Sequence, residues 1–233
     1  MLLKHHVCLS PKSVSVDGEL LEVAVSVNAP ESMSETGREA VPTASPNTGA
    51  NSAQEMLHAL YRQYVKDYPK FFKMDLLGKL GFVASELLLQ REGAPRFVPC
   101  EERTVICFNR SASLVADSRF QETIQHADSY YPSPALFVYT LPNIVTGEIA
   151  IRNKYYGETS FVVLEKFDPE QIAMMVDVAF QDPGCQSQIV GWTECADESH
   201  WHCLMLLVER EGGADASALA ACLERLHRMV VES

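Results

Sequence analysis

Apolar residues fall along this chain in two rhythms. Leu76, Leu77, Leu80, Val83, Ala84, Leu87 and Leu88 recur at the spacing of a helical face and predict a helix from about Met74 to Arg91, which "EGAP" stops. Another helix is predicted near Ala53 to Asp67, and "DPEQIAMMVDVAFQD" starts a third with a capping aspartate and a first-turn proline. The segment from Ala214 to Val231 reads as an amphipathic helix, and Pro134 and Pro142 as the start and the kink of one more. The other rhythm is strand-like. "RTVICFN" (103–109), "TSFVVLE" (159–165), "CQSQIVGWTE" (185–194) and "HCLMLLVERE" (202–211) are short, apolar and rich in β-branched residues. Continuous apolarity in 103–109 suits a strand covered on both faces, hence a parallel sheet between helices. Nearer the start, "HHVCLS" and "LLEVAVSV" are β-like runs on either side of the turn-rich "PKSVSVDGE". The order β-α-β-α-β-α-β-β predicts an α/β fold with a five-stranded mixed sheet whose last strand returns antiparallel as a hairpin.

Composition narrows this picture. At 233 residues and 47% hydrophobic content the chain can bury a sizeable core as a single domain. One stretch departs from it: 29–52, "APESMSETGREAVPTASPNTGANS", is almost devoid of large apolar residues and reads as a disordered surface insertion. No apolar run approaches the roughly 20 residues of a membrane helix, and "MLLKHHVCLSPKS" lacks a signal peptide's long apolar region. A cytoplasmic protein with no membrane contact is expected. The net charge of −12 argues against nucleic acid. Seven cysteines, at 8, 100, 107, 185, 195, 203 and 222, form no C-x-x-C pair and read as reduced, mostly buried thiols. In "CADESHWHC" (195–203), His200 and His202 would share a strand face while Cys203 points away, so no metal site is expected.

Several stretches resemble the amino-terminal half of β-ketoacyl synthases, members of the thiolase superfamily. In "PSPALFVYTLPNIVTGEIAIRNKYYGETSFVV", Pro142, Asn143, Gly147, Ile149, Ala150, Ile151 and Gly157 match that family's proline-led helix and the glycine turn before its nucleophile strand. "KMDLLGKLGFVASELLL", "SQIVGWTE" and "CLMLLVERE" are similar to further segments in the same order. The resemblance implies a thiolase-like half-fold. It also implies a cysteine at the helix start after 159–165, where backbone amides would activate a thiol. Matching from Gly157 puts that position near Glu165 and Lys166, and neither is a thiol. The family's catalytic histidines and decarboxylating lysine belong to a carboxyl-terminal half that has no counterpart in these residues.

These departures point to a non-catalytic synthase-like protein, a partner or scaffold subunit in fatty-acid or polyketide-type acyl-chain synthesis rather than a 3-oxoacyl-[acyl-carrier-protein] synthase acting alone. The resemblance implies a homodimer, or a heterodimer with a complete ketoacyl synthase, paired through Ser160, Phe161, Val162, Val163 and Leu164. It implies an acyl carrier protein as a further partner, and no cofactor. An acidic chain suits an acidic carrier only where Lys and Arg cluster locally. Ligands of open α/β sheets bind beyond strand carboxyl ends, which makes Asn109, Arg110, Ser111 and Ser113 the best ligand site, with Asn143 from the matched helix. The alternative is a stand-alone enzyme acting on acyl thioesters through Asn109–Ser113 and His200–His202.

Overall fold

The computed structural model describes residues 1–23 and 53–232. The stretch 29–52 and the second half of the run 20–27, residues 24–27, lie outside them. The described chain runs β1 (Leu2–Leu9), β2 (Val14–Val16), β3 (Glu19–Leu20), α1 (Ala53–Leu60), α2 (Leu76–Glu92), β4 (Arg103–Asn109), α3 (Leu114–Glu122), α4 (Pro134–Val138), α5 (Ile144–Asn153), β5 (Thr159–Val163), α6 (Pro169–Ala179), β6 (Ser187–Cys195), β7 (Trp201–Glu209) and α7 (Ala216–Glu232). Pro142 does more than kink a helix: α4 ends before it and α5 begins after it.

Among the described residues the sheet has seven strands, not five, in the order β3-β2-β1-β7-β6-β4-β5. The additional strands are β2 and β3, which fold back on β1 as a short meander. Its tight turn is Asp17-Gly18, where both residues have positive φ, as a two-residue hairpin requires. The Asp17 carboxylate then fixes the turn, accepting from the His6 amide at 2.8 Å and from Arg91 Nε at 3.0 Å. β4 pairs parallel with β5 and β6, and β7 lies antiparallel between β6 and β1. The β6–β7 hairpin is the one the sequence predicts.

Both faces of the sheet are covered. Val7, Leu9, Val105, Cys107, Ile189, Met205 and Leu207 pack under α1, α2 and α5. The alternate residues Cys8, Phe108, Val190, Trp192, Leu204, Leu206 and Val208 pack under α6 and α7. In α2, capped by Asp75 through the Gly78 amide at 2.9 Å, every residue from Leu76 to Leu89 is buried. That burial includes Glu86, which is answered by the guanidinium groups of Arg96 and Arg152. Arg96 also bonds the buried Asn153 side chain at 2.8 Å, so α2, α5 and the 93–97 loop are tied by one charge network.

Two glycines from the family-like stretch differ in what surrounds them. A Cβ on Gly157 would collide with the backbone carbonyl of Arg103, where the chain turns into β5 against the start of β4. A Cβ on Gly147, inside α5, would meet open space. Gly157→Ala is therefore expected to destabilise by roughly 1–3 kcal/mol, whereas Gly147→Ala should stabilise the isolated chain by up to about 1 kcal/mol through helix propensity. Urea unfolding of the two variants checks this, and equal effects would show that the Gly157 turn relaxes freely.

Candidate functional site

The parallel strands β4, β5 and β6 all point their carboxyl ends at one rim. A cavity of about 930 Å³ opens there. Its walls are Phe167 from the β5–α6 junction, Trp192 from β6, Trp201 and His202 from β7, and His227 from α7. Its mouth carries Lys12, Arg110 and Lys166, three exposed cations with no ion pair among the described residues. The only carboxylate among the lining residues is Glu194, which accepts the Arg110 backbone amide at 2.8 Å.

The floor is an aromatic stack. Phe167 and His227 lie parallel with centroids 3.7 Å apart, and Trp192 meets Phe167 edge-on at 5.2 Å. Trp192 Nε1 donates to His202 Nε2 at 3.2 Å, which requires that nitrogen to be unprotonated. Burial holds the pKa of His202 below the usual histidine value. Burial, reinforced by the neighbouring His202, pushes His227 down to about 4. Both rings are neutral at physiological pH. Trp201 Nε1 is buried without an acceptor among the described residues.

No cysteine lines this cavity. Cys8, Cys107, Cys195 and Cys203 are buried in the core, and burial raises each thiol's pKa, to about 11 for Cys8 and to about 12 for Cys107 and Cys195. A protonated, enclosed thiol is a poor nucleophile.

The structure brings together part of the set marked from sequence. Arg110, Ser111, Lys166, His200 and His202 line the same cavity. Ser111 Oγ donates to the Cys195 carbonyl at 3.2 Å, and His200 Nδ1 is 2.8 Å from Asp197 in the hairpin loop. Asn109 is fully buried and closes the turn after β4, its side chain bonding the Ala112 carbonyl at 2.8 Å and the Ala112 amide at 2.9 Å. Ser113 is buried too, donating to the Thr140 carbonyl at 2.6 Å. Asn143 is exposed at the start of α5 and is not a lining residue. Glu165 is exposed beside Lys166, and Ser160 to Val163 lie in β5, which with β3 forms the two edges of the described sheet, Leu164 following it. Phe167, Trp192, Trp201 and His227 escaped the sequence reading. A signal existed for His227, which sits on the buried α7 stripe of Leu223, Leu226 and Val230.

Neither a family model nor a curated protein matches the sequence. Among solved structures, 28 chains match. One, from the ishigamide ketosynthase/chain length factor, is 20% identical over 66% of this chain and 48% of its own, with a TM-score of 0.55. Another, from the complex of the ketosynthase ApeO with its chain length factor ApeC of Xenorhabdus doucetiae, is 14% identical and aligns over 100% of this chain and 93% of its own, with a TM-score of 0.57.

This chain has a ketosynthase-like fold.

It spans about half of the ishigamide chain and nearly all of the other, and its described residues form a mixed α/β arrangement with one sheet between helical layers. At the junction of β5 and α6 in this ketosynthase-like fold stand Glu165, Lys166, Phe167 and Asp168, the last capping α6 through the Gln171 amide at 2.9 Å.

The stack has a consequence for acid stability. A histidine whose folded pKa lies below its unfolded value takes up its proton on unfolding, so its contribution is present above about pH 6.5 and is lost as pH falls toward 4. In the His227→Phe variant, which keeps an aromatic ring against Phe167, the fall in stability across this window should be shallower than in the parent. Denaturant midpoints taken across that pH range are the check, and parallel curves would place the titration elsewhere.

Proposed function

We propose that this chain is a non-catalytic partner subunit of a ketosynthase, serving fatty-acid or polyketide-type acyl-chain synthesis and pairing along β5. One observation carries the reading: the cavity at the strand ends is built and aromatic-walled, yet presents Lys166 and Phe167 at the strand–helix junction and no thiol. The solved complex of ApeO with its chain length factor ApeC supports it, since there a ketosynthase is paired with a subunit of a different role.

The pairing edge is argued from β5. Among the described residues it is hydrogen-bonded to β4 alone, Glu158 accepting from the Val105 amide and Leu164 donating to the Asn109 carbonyl. By alternation, Thr159, Phe161 and Val163 direct their backbone groups to the outer side, where a partner strand would continue the sheet. Uncovered edges of this kind pair readily with another chain. Ile151 and Tyr156, exposed beside that edge, extend the surface with apolar area, and the open space over Gly147 leaves room for close approach. An acyl carrier protein fits as a further partner at the cavity mouth, where Lys12, Arg110 and Lys166 are a local basic cluster on an acidic chain.

A competing reading is favoured by the convergence of Ser111, His202 and Lys166 on one cavity: a stand-alone enzyme acting on acyl thioesters. Ser111, however, donates to a backbone carbonyl and has no histidine as its base. Turnover of acyl thioesters by the purified chain, abolished by Ser111→Ala, would overturn the subunit reading. Activity confined to a co-purified complex with a complete ketosynthase supports it.

Val163→Pro removes an outward amide on the edge strand and leaves the β4 pairing intact. It should abolish co-purification with the ketosynthase, or self-association in sedimentation experiments, while the circular dichroism of the chain is unchanged. Retained association would exclude β5 as the seam. Lys12→Glu with Lys166→Glu should weaken carrier-protein binding at least about tenfold at low salt and much less at high salt.

A further inference from the structure

A second cavity lies on the α6 face of the sheet, away from the strand-end site. It holds about 380 Å³, within the range of small-ligand pockets. Its floor crosses three parallel strands: Gln188 of β6 pairs in register with Thr104 of β4, and Ile106 of β4 with Ser160 of β5. α6 is the wall, through Met174, Met175 and Val178, and Val162 closes the β5 side. Met174 and Val178 are 54% and 55% exposed, one helical turn apart, so the wall is an apolar surface left open to a guest.

Gln188 makes this more than an apolar groove. Its side chain is fully buried, its Nε2 donates to the Val176 carbonyl at 2.8 Å, and its Oε1 has no donor among the described residues. Turning the amide over would set oxygen against the Val176 carbonyl, so the hydrogen bond fixes the acceptor as the unpartnered atom. A buried amide oxygen without a donor costs free energy that a bound donor recovers. Flexible methionines around it adapt to guests of varied shape.

We infer that this groove is a binding site for a small apolar molecule carrying one hydroxyl or N–H, whose donor meets Gln188 Oε1 while its apolar body lies along Met174, Met175 and Val178. Ser160 and Val162 belong to β5, so the site is tested on the isolated chain, where its outcome does not depend on pairing along β5 or on any carrier protein.

The probes are 4-propylphenol and its methyl ether, 4-propylanisole, which keeps shape and apolar area but has no donor. With methyl-labelled methionine, NMR titration of 4-propylphenol should shift the Met174 and Met175 methyl signals saturably. The anisole should bind about tenfold more weakly, the cost of one unmet buried hydrogen bond. Gln188→Met, which keeps the volume and removes the acceptor, should bring the two probes to equal affinity. Val178→Trp, a surface change on α6 that fills the groove, should abolish both titrations with helix content unchanged. Methyl shifts that do not saturate, equal affinities in the parent chain, or undiminished binding to Val178→Trp each overturn the proposal, Gln188 then meeting water alone. Failure of Val163→Pro to disrupt association would leave this site untouched.

Discussion

Every central strand of this sheet carries apolar side chains on both faces, and the rest of the architecture follows from the need to keep both out of water. A sheet so patterned requires a helical layer on each side. Parallel neighbours require crossovers that return each chain end to the same edge. The crossovers through α3 to α5 and through α6 therefore aim the carboxyl ends of β4, β5 and β6 at one rim, and the antiparallel β7 brings its first residues back to it. Trp192 and His202 meet there because β6 leaves the core where β7 enters it, paired in register from Ser187–Glu209 to Cys195–Trp201. The cavity is a geometric product of two-faced burial.

Within the layer of α1, α2 and α5, burial is carried further than a helix ordinarily tolerates. Glu86 lies in the middle of α2 with 1% of its surface exposed, and it survives there because Arg96 and Arg152 both reach it. Arg152 is itself held between the Tyr68 and Phe97 rings, 5.1 and 4.4 Å from their centroids. Removing one member of such a network leaves the others charged and dry, typically a cost of about 3–5 kcal/mol. The network fixes α5 against α2, and α5 in turn packs against β4 and the edge strand β5. The geometry of the outer edge is set from inside the molecule.

Much of this was legible in the residues. The helical spacing of Leu76, Leu77, Leu80, Val83, Ala84, Leu87 and Leu88 reads as a helix, "RTVICFN" as a strand covered on both faces, and Asp168-Pro169 as a helix start, because each signal is local and the fold agrees with it; that α2 is buried on its other face too, Lys79 and Glu86 included, depends on distant partners. β2 and β3 were not legible as strands. They are three and two residues long, and their existence depends on pairing with β1 and on the positive φ of Asp17 and Gly18 more than on any run of their own. The site divides along the same line. Loops after strands can be named from the order of elements, so Arg110, Ser111, Lys166 and His202 were reachable. The face-to-face contact of Phe167 with His227 joins residues 60 positions apart through the packing of α6 on α7, and no local pattern encodes it.

The junction of β5 and α6 joins these arguments. A helix start at the end of a parallel strand is a position where an anion or an activated nucleophile is stabilised by backbone amides. Here Asp168 already satisfies the Gln171 amide with its own carboxylate, and Phe167 is turned down into the stack beneath the cavity. The strand and the helix on either side are held in place because the sheet needs both of them for burial. Their junction is occupied by a cap and an aromatic wedge, while Lys166 stays exposed at the mouth. The residues at this junction are therefore free of the burial that fixes the strand and the helix, and they can differ between chains of this fold with the architecture unchanged.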